Sequence, residues 1–279
     1  MLAVMLGLGA AFSWGLHDLL VRRISKGPNV LGQIVVISLT GAPLLFLLAG
    51  GDLSGLSGRA ALLAAAAGLA YVMAYVGLFR ALGLAPARLV SPVLGSYPML
   101  TMFLAMAVGA RVTAADWLAV LAVVAGVALV ALLAEDADRT GGSVLPALLW
   151  AALGAAGFAL TFALGQAASV GGQSLAAGVV TRLTAAAAMG VPLLWARPSL
   201  APVRANWRLL LAMGLLDTLA LGLVMLAGDF VHAEYAAVAA SLFGVVTILL
   251  AWALLGERVR PRQWPGIALV FAGIGWLAV

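Results

Sequence analysis

From its first residues the chain is a succession of apolar runs, each about 20 residues long, separated by short turns rich in Gly, Pro and Arg. That is the length a helix needs to cross the hydrocarbon of a bilayer. Composition agrees: 65% of the residues are hydrophobic, 9% are charged, and the mean hydropathy is +1.17. Soluble domains are about half apolar and a quarter charged, so water is the wrong solvent for most of this surface. In hydrocarbon every backbone amide needs an internal partner, which leaves helices and closed barrels. The runs do not alternate with period two, which excludes a barrel. An all-α integral membrane bundle is expected.

The turns divide the 279 residues into ten expected spans, near 2–21, 31–49, 60–80, 87–109, 115–134, 144–166, 174–195, 208–227, 235–255 and 263–279. Loops this small leave no room for a soluble domain, so any activity must sit within the membrane. Met1 to Val21 lacks a basic leader and reads as an uncleaved first span rather than a signal peptide. The chain has no Cys, which removes disulfides, thiolate chemistry and Cys-ligated metals. No metal or cofactor motif appears. The net charge of +5 does not imply nucleic acid, because the basic residues sit at span ends. Loops after odd-numbered spans carry Arg22, Arg23, Lys26, Arg80, Arg88, Arg139, Arg197, Arg204, Arg208, Arg258, Arg260 and Arg262; loops after even-numbered spans carry little beyond Arg59 and Arg111. Counted as positive-inside, the odd loops face the cytoplasm and both termini lie outside.

The chain also repeats itself. Gly109-Ala110-Arg111-Val112 is matched by Gly256-Glu257-Arg258-Val259, followed in register by Trp117 and Trp264. Further on, Val123-x-Ala125-Gly126 matches Val270-x-Ala272-Gly273, and Leu8-Gly9-Ala10-Ala11 echoes Leu153-Gly154-Ala155-Ala156. Five spans, an odd number, separate the copies, so the halves (1–137 and 138–279) are expected to lie in opposite orientations. Inverted halves of this kind place a site near the midplane, at their interface.

At these residues the chain resembles the EamA branch of the drug/metabolite transporter superfamily. The resemblance rests on Trp14-Gly15, on Phe79 to Pro92, and on Pro98-Met99-Leu100-Thr101 running on to Gly109. In the second half it rests on Val246-Thr247, Gly256-Glu257-Arg258, Gln263-Trp264, Gly266 and Gly273. It covers the whole chain and implies ten transmembrane helices as two inverted five-helix repeats. It also implies a multi-pass protein of the bacterial cytoplasmic membrane that functions as a monomer, with the bilayer and a small-molecule substrate as partners. The implied cargo is small metabolites, amino acids above all, usually exported. Two departures stand out. The first-half copy of the Gly-Glu-Arg turn has Ala110 in place of the Glu, and the family usually has cytoplasmic termini, against the arginine count.

Polar side chains are costly in hydrocarbon and usually face the bundle interior or a water cavity. The candidates for substrate binding are Trp14, His17 and Asp18 in the first span, Tyr71 and Tyr75 in the third, and Tyr97 in the fourth. Trp150 and Thr161 in the sixth, Arg182 in the seventh and Asp217 in the eighth complete the set. Most have a plainer reading. His17 and Asp18 lie close to a span end, where they would be solvated. Arg182 and Asp217 would pair, since two unpaired charges in the interior are expensive. The aromatics would pack or form an interfacial belt, which is the preferred role for Trp117, Trp195, Trp207 and Trp264. A proton-coupled exporter of drugs or cations is the alternative to amino-acid carriage, and it wants a membrane-central carboxylate. The chain has two His and none of the short motifs of hydrolases or zinc proteases, so an intramembrane enzyme is not expected.

Overall fold

The computed structural model describes residues 1–24, 30–84, 93–133, 145–255 and 261–278. All regular structure among them is helical. The first half holds α1 (Leu2–Ile24), α2 (Val30–Leu48), α3 (Gly58–Leu84), α4 (Tyr97–Ala107) and α5 (Ala114–Leu133). The second holds α6 (Leu145–Ser169), α7 (Ser174–Ala196), a single turn α8 (Ala201–Ala205), α9 (Trp207–Leu226), α10 (Glu234–Ala240), α11 (Phe243–Leu255) and α12 (Trp264–Ala278). Four stretches are by themselves long and apolar enough to cross a bilayer: Gly58–Leu78, Leu145–Ser169, Ser174–Ala196 and Trp207–Asp229. Their outward faces carry large apolar side chains such as Leu62 (74% exposed), Leu149 and Leu219. In lipid that exposure is solvation rather than a defect.

Two expected spans are interrupted. The expected run 235–255 breaks into α10 and α11 at Ser241–Leu242, and in 87–109 a turn at Gly95–Ser96 precedes α4. The serine hydroxyls at both breaks bond back to carbonyls within the same turn, Ser241 to Val238 and Ser96 to Val93, each at 2.7 Å. Residues 85–92 and the Gly256-Glu257-Arg258 turn lie outside the described residues.

The halves pack as repeats of each other. Exchanging α1, α2, α3, α4 and α5 for α6, α7, α9, α10–α11 and α12 maps the principal helix contacts onto themselves. Thus α3 against α6 corresponds to α9 against α1, α4 against α6 to α10–α11 against α1, and α3 against α7 to α9 against α2. The pairs α2–α7 and α5–α12 map onto themselves.

The last of these pairs shows the symmetry atom by atom. A Cβ on Gly126 would strike the Gly266 carbonyl and Val270, and one on Gly273 would strike the Ala119 carbonyl and Val123. The repeated Val-x-Ala-Gly therefore meets its own copy reciprocally. Only glycine permits backbones this close, which is how helices associate where lipid supplies no hydrophobic drive. Between α3 and α6 the same device recurs, with Gly77 against Gly154 and Gly157 against Ala74.

Loops after the even-numbered spans converge at one end of the bundle. Asp229, at the end of the 3₁₀ turn after α9, accepts the backbone N–H groups of Gly171 and Gly172 at 2.8 and 3.2 Å. Those two glycines hold positive φ (84° and 79°), the conformation that lets α6 turn sharply into α7. Gln173 donates to the Gly55 carbonyl at 2.8 Å. A cleft of about 490 Å³ opens there between Leu48, Asp52, Gly55, Gly172 and Ala176, and none of the candidate binding residues lines it.

Candidate functional site

Five of the candidates meet at one point, deep among the helices. Asp217 on α9 is fully buried, and its carboxylate accepts from four donors on three other helices. The Arg182 Nη1 of α7 lies 2.5 Å from Oδ2, and the Tyr71 hydroxyl of α3 lies 2.6 Å from the same oxygen. Oδ1 receives the Trp14 indole N–H of α1 at 2.8 Å and the Tyr75 hydroxyl at 3.1 Å. Tyr71 and Tyr75 are one helical turn apart, so their rings stack 4.4 Å from centroid to centroid and both hydroxyls reach the same carboxylate. All five residues are less than a tenth exposed.

Two charges taken out of water cost several kcal/mol each, and pairing repays that only when the remaining hydrogen-bonding capacity is also used. On the carboxylate it is used fully: about four lone-pair directions meet four donors. On the guanidinium it is not. Arg182 makes its short bond to Asp217 and a long one of 3.5 Å to the Tyr71 oxygen, both through Nη1, and its Cζ lies 5.4 Å from the centroid of the Tyr71 ring. Its Nε and Nη2 are buried and have no hydrogen-bond partner among the described residues.

The helix pairs that bring these side chains together, α1 with α9 and α3 with α7, are contacts between the two halves. Trp14, Tyr71 and Tyr75 come from the first half, and Arg182 and Asp217 from the second. Helix packing follows the pseudo-symmetry, but the chemistry does not.

The remaining candidates divide. Tyr97 donates to the Ala237 carbonyl at 3.0 Å and sits 5.4 Å from Phe162, which in turn lies 5.6 Å from Trp14. It belongs to the aromatic wall beside the charged pair, together with Phe158, Phe162 and Phe243. These three phenylalanines carry no polar atom that would have singled them out in the sequence. His17 is buried on α1, one turn beyond Trp14. Asp18 is also on α1, and its side chain lies outside the described residues. Thr161 is buried, but its hydroxyl bonds to the Gly157 carbonyl of its own helix at 2.7 Å. Trp150 stands apart near the start of α6, with the Arg80 guanidinium 6.0 Å from its ring centroid. Of the four tryptophans expected in an interfacial belt, Trp195, Trp207 and Trp264 are exposed at helix ends, whereas Trp117 is half-buried with its ring 4.7 Å from that of Phe103.

No curated protein matches the chain. A solved crystal structure, 20% identical, superposes with a TM-score of 0.79, covering 99% of this chain and 96% of its own; the likeness is one of fold. The model of the EamA-like transporter family matches residues 1–132 and again 145–279, once for each half. Taken with the reciprocal packing of the two halves, these matches identify the protein as a member of the EamA-like transporter family, a membrane transporter of the drug/metabolite type.

Proposed function

We propose that the protein crosses the bacterial cytoplasmic membrane ten times and exports small metabolites, amino acids in particular, by alternating access. The ten spans are the four long helices, the shorter apolar stretches Leu2–His17, Gly32–Leu48, Tyr97–Ala107, Ala114–Leu129 and Glu234–Val246, and α12. The observation that carries the reading is the buried constellation at the interface of the halves. A purely structural bundle has little reason to bury, among seven aromatic rings, an Arg–Asp pair with two donor nitrogens that lack a partner among the described residues, whereas a site at a repeat interface is where carriers bind their cargo.

Breaks at corresponding places near α4 and between α10 and α11 support the mechanism. Discontinuous helices are where carriers bend around a fixed site. Rocking one half against the other would open the constellation to each face in turn.

The alternative, a proton-coupled exporter of cations, is disfavoured. Every lone-pair direction of Asp217 is engaged, and a positive charge already stands beside it. The test is counterflow in proteoliposomes with labelled amino acids, sugars and nucleotides. Saturable exchange of amino acids above empty liposomes is expected, and its absence across all amino acids would refute the cargo class.

A further inference from the structure

We infer that the cargo is recognised through a carboxylate, seated on the Nε–Nη2 edge of Arg182, and that Asp217 is a built-in counterion and not a seat for the cargo's ammonium group. The inference rests on the carrier reading above and narrows it: a cargo needs its carboxylate and does not need its amine.

The argument is an inventory of donors and acceptors. A guanidinium presents five N–H donors in a fixed plane, and the Nε–H together with one Nη2–H forms a parallel pair on one edge. That edge matches the two oxygens of a carboxylate, and such bidentate pairs are the strong, geometrically selective ones. In this protein Arg182 spends Nη1 on Asp217 and Tyr71, while Nε and Nη2, both buried, have no partner among the described residues. Buried donors without partners are uncommon and costly, and one explanation is a ligand that completes them.

Asp217 is the opposite case. Tyr71 and Arg182 take one oxygen, and Trp14 and Tyr75 take the other. An incoming ammonium would have to displace one of these donors and would meet the positive charge of Arg182 beside it. An incoming carboxylate displaces nothing from Asp217. Trp14, Phe158, Phe162 and Tyr97 supply an apolar wall for the rest of the molecule.

Three ligands sharing one apolar tail separate the cases: phenylalanine, 3-phenylpropionate (carboxylate only) and phenethylamine (ammonium only). Binding is measured by calorimetry on the full chain in detergent, and exchange is measured in proteoliposomes. Phenylalanine and 3-phenylpropionate are expected to bind within about tenfold of each other and phenethylamine not to bind. Arg182→Lys keeps the charge opposite Asp217 but lacks the bidentate edge, so it should fold and lose at least about tenfold in carboxylate affinity. A purely structural pair predicts unchanged affinity in that variant. A second variant, Arg182→Gln with Asp217→Asn, removes both charges together and should also lose carboxylate binding. Phenethylamine binding as tightly as phenylalanine would overturn the inference, and so would unchanged affinity in Arg182→Lys or no binding by either carboxylate. The two readings fail separately. Selective carboxylate binding without exchange upholds the site and defeats the carrier, while exchange of other solutes without carboxylate binding does the reverse.

Discussion

At the scale of single residues, the stability of the site depends on charge balance more than on any one bond. Removing Asp217 alone, as Asp217→Ala, strands a buried guanidinium that makes its short bond to nothing else, and a loss of about 3–5 kcal/mol is expected. Replacing both partners by apolar residues, Arg182→Met with Asp217→Leu, should recover most of that stability while abolishing exchange. Thermal unfolding in detergent beside proteoliposome flux checks both halves of the prediction. If Asp217→Ala unfolds at the wild-type temperature, the pair does not bear on stability as argued. The two tyrosines should differ. Tyr71 donates at 2.6 Å to the oxygen that Arg182 also holds, and Tyr75 at 3.1 Å to the other. Both bonds go to a charged group, so Tyr71→Phe is expected to cost about 1.5–3 kcal/mol, and Tyr75→Phe less, because the shorter bond is the better made. Denaturation curves that rank them in the reverse order would contradict this.

At the scale of helices, close approach is bought with glycine, and it is the same glycine in each repeat. Adding a side chain at Gly126 or Gly273 would overlap the backbone of the facing helix. Gly126→Val and Gly273→Val should therefore destabilise to a similar degree, about 1–3 kcal/mol each. Around Gly222 on α9 there is open space, and Gly222→Ala should leave the unfolding temperature unchanged or raise it slightly. Similar losses at the two packed positions, set against no loss at the open one, would be read from the same thermal series. One Val variant falling far below the other would show that the reciprocal contact does not share its load evenly. Sequence made the α5–α12 match readable because Val-x-Ala-Gly recurs in register. It gave much less warning of the helix breaks: Pro98 follows the first, but no proline stands near Ser241 and Leu242.

At the scale of the whole molecule, the arginine count makes a claim about orientation that the chain's freedom from Cys makes easy to test. Ser25→Cys and Ser143→Cys, in loops after the first and fifth spans, should be shielded from an impermeant maleimide in intact cells, and Ser54→Cys, after the second, should be labelled. Labelling of the first two from outside would reverse the orientation and agree with the usual habit of the family. The sequence by itself determined the solvent, the helical class, the doubling of the chain and a short set of polar residues in the apolar runs. Each of these follows from composition or from spacing along one strand of sequence. Which polar residues act together was decided only by tertiary structure. Periodicity identifies neighbours on one helix, such as Tyr71 and Tyr75, but Trp14 and Asp217 are 203 positions apart and meet only because α1 packs on α9. The same packing left Trp150 beside Arg80 and turned the Thr161 hydroxyl back onto its own helix. The direction a side chain faces is fixed by which helices cross and where their glycines let them touch, and a linear sequence does not carry that information one residue at a time.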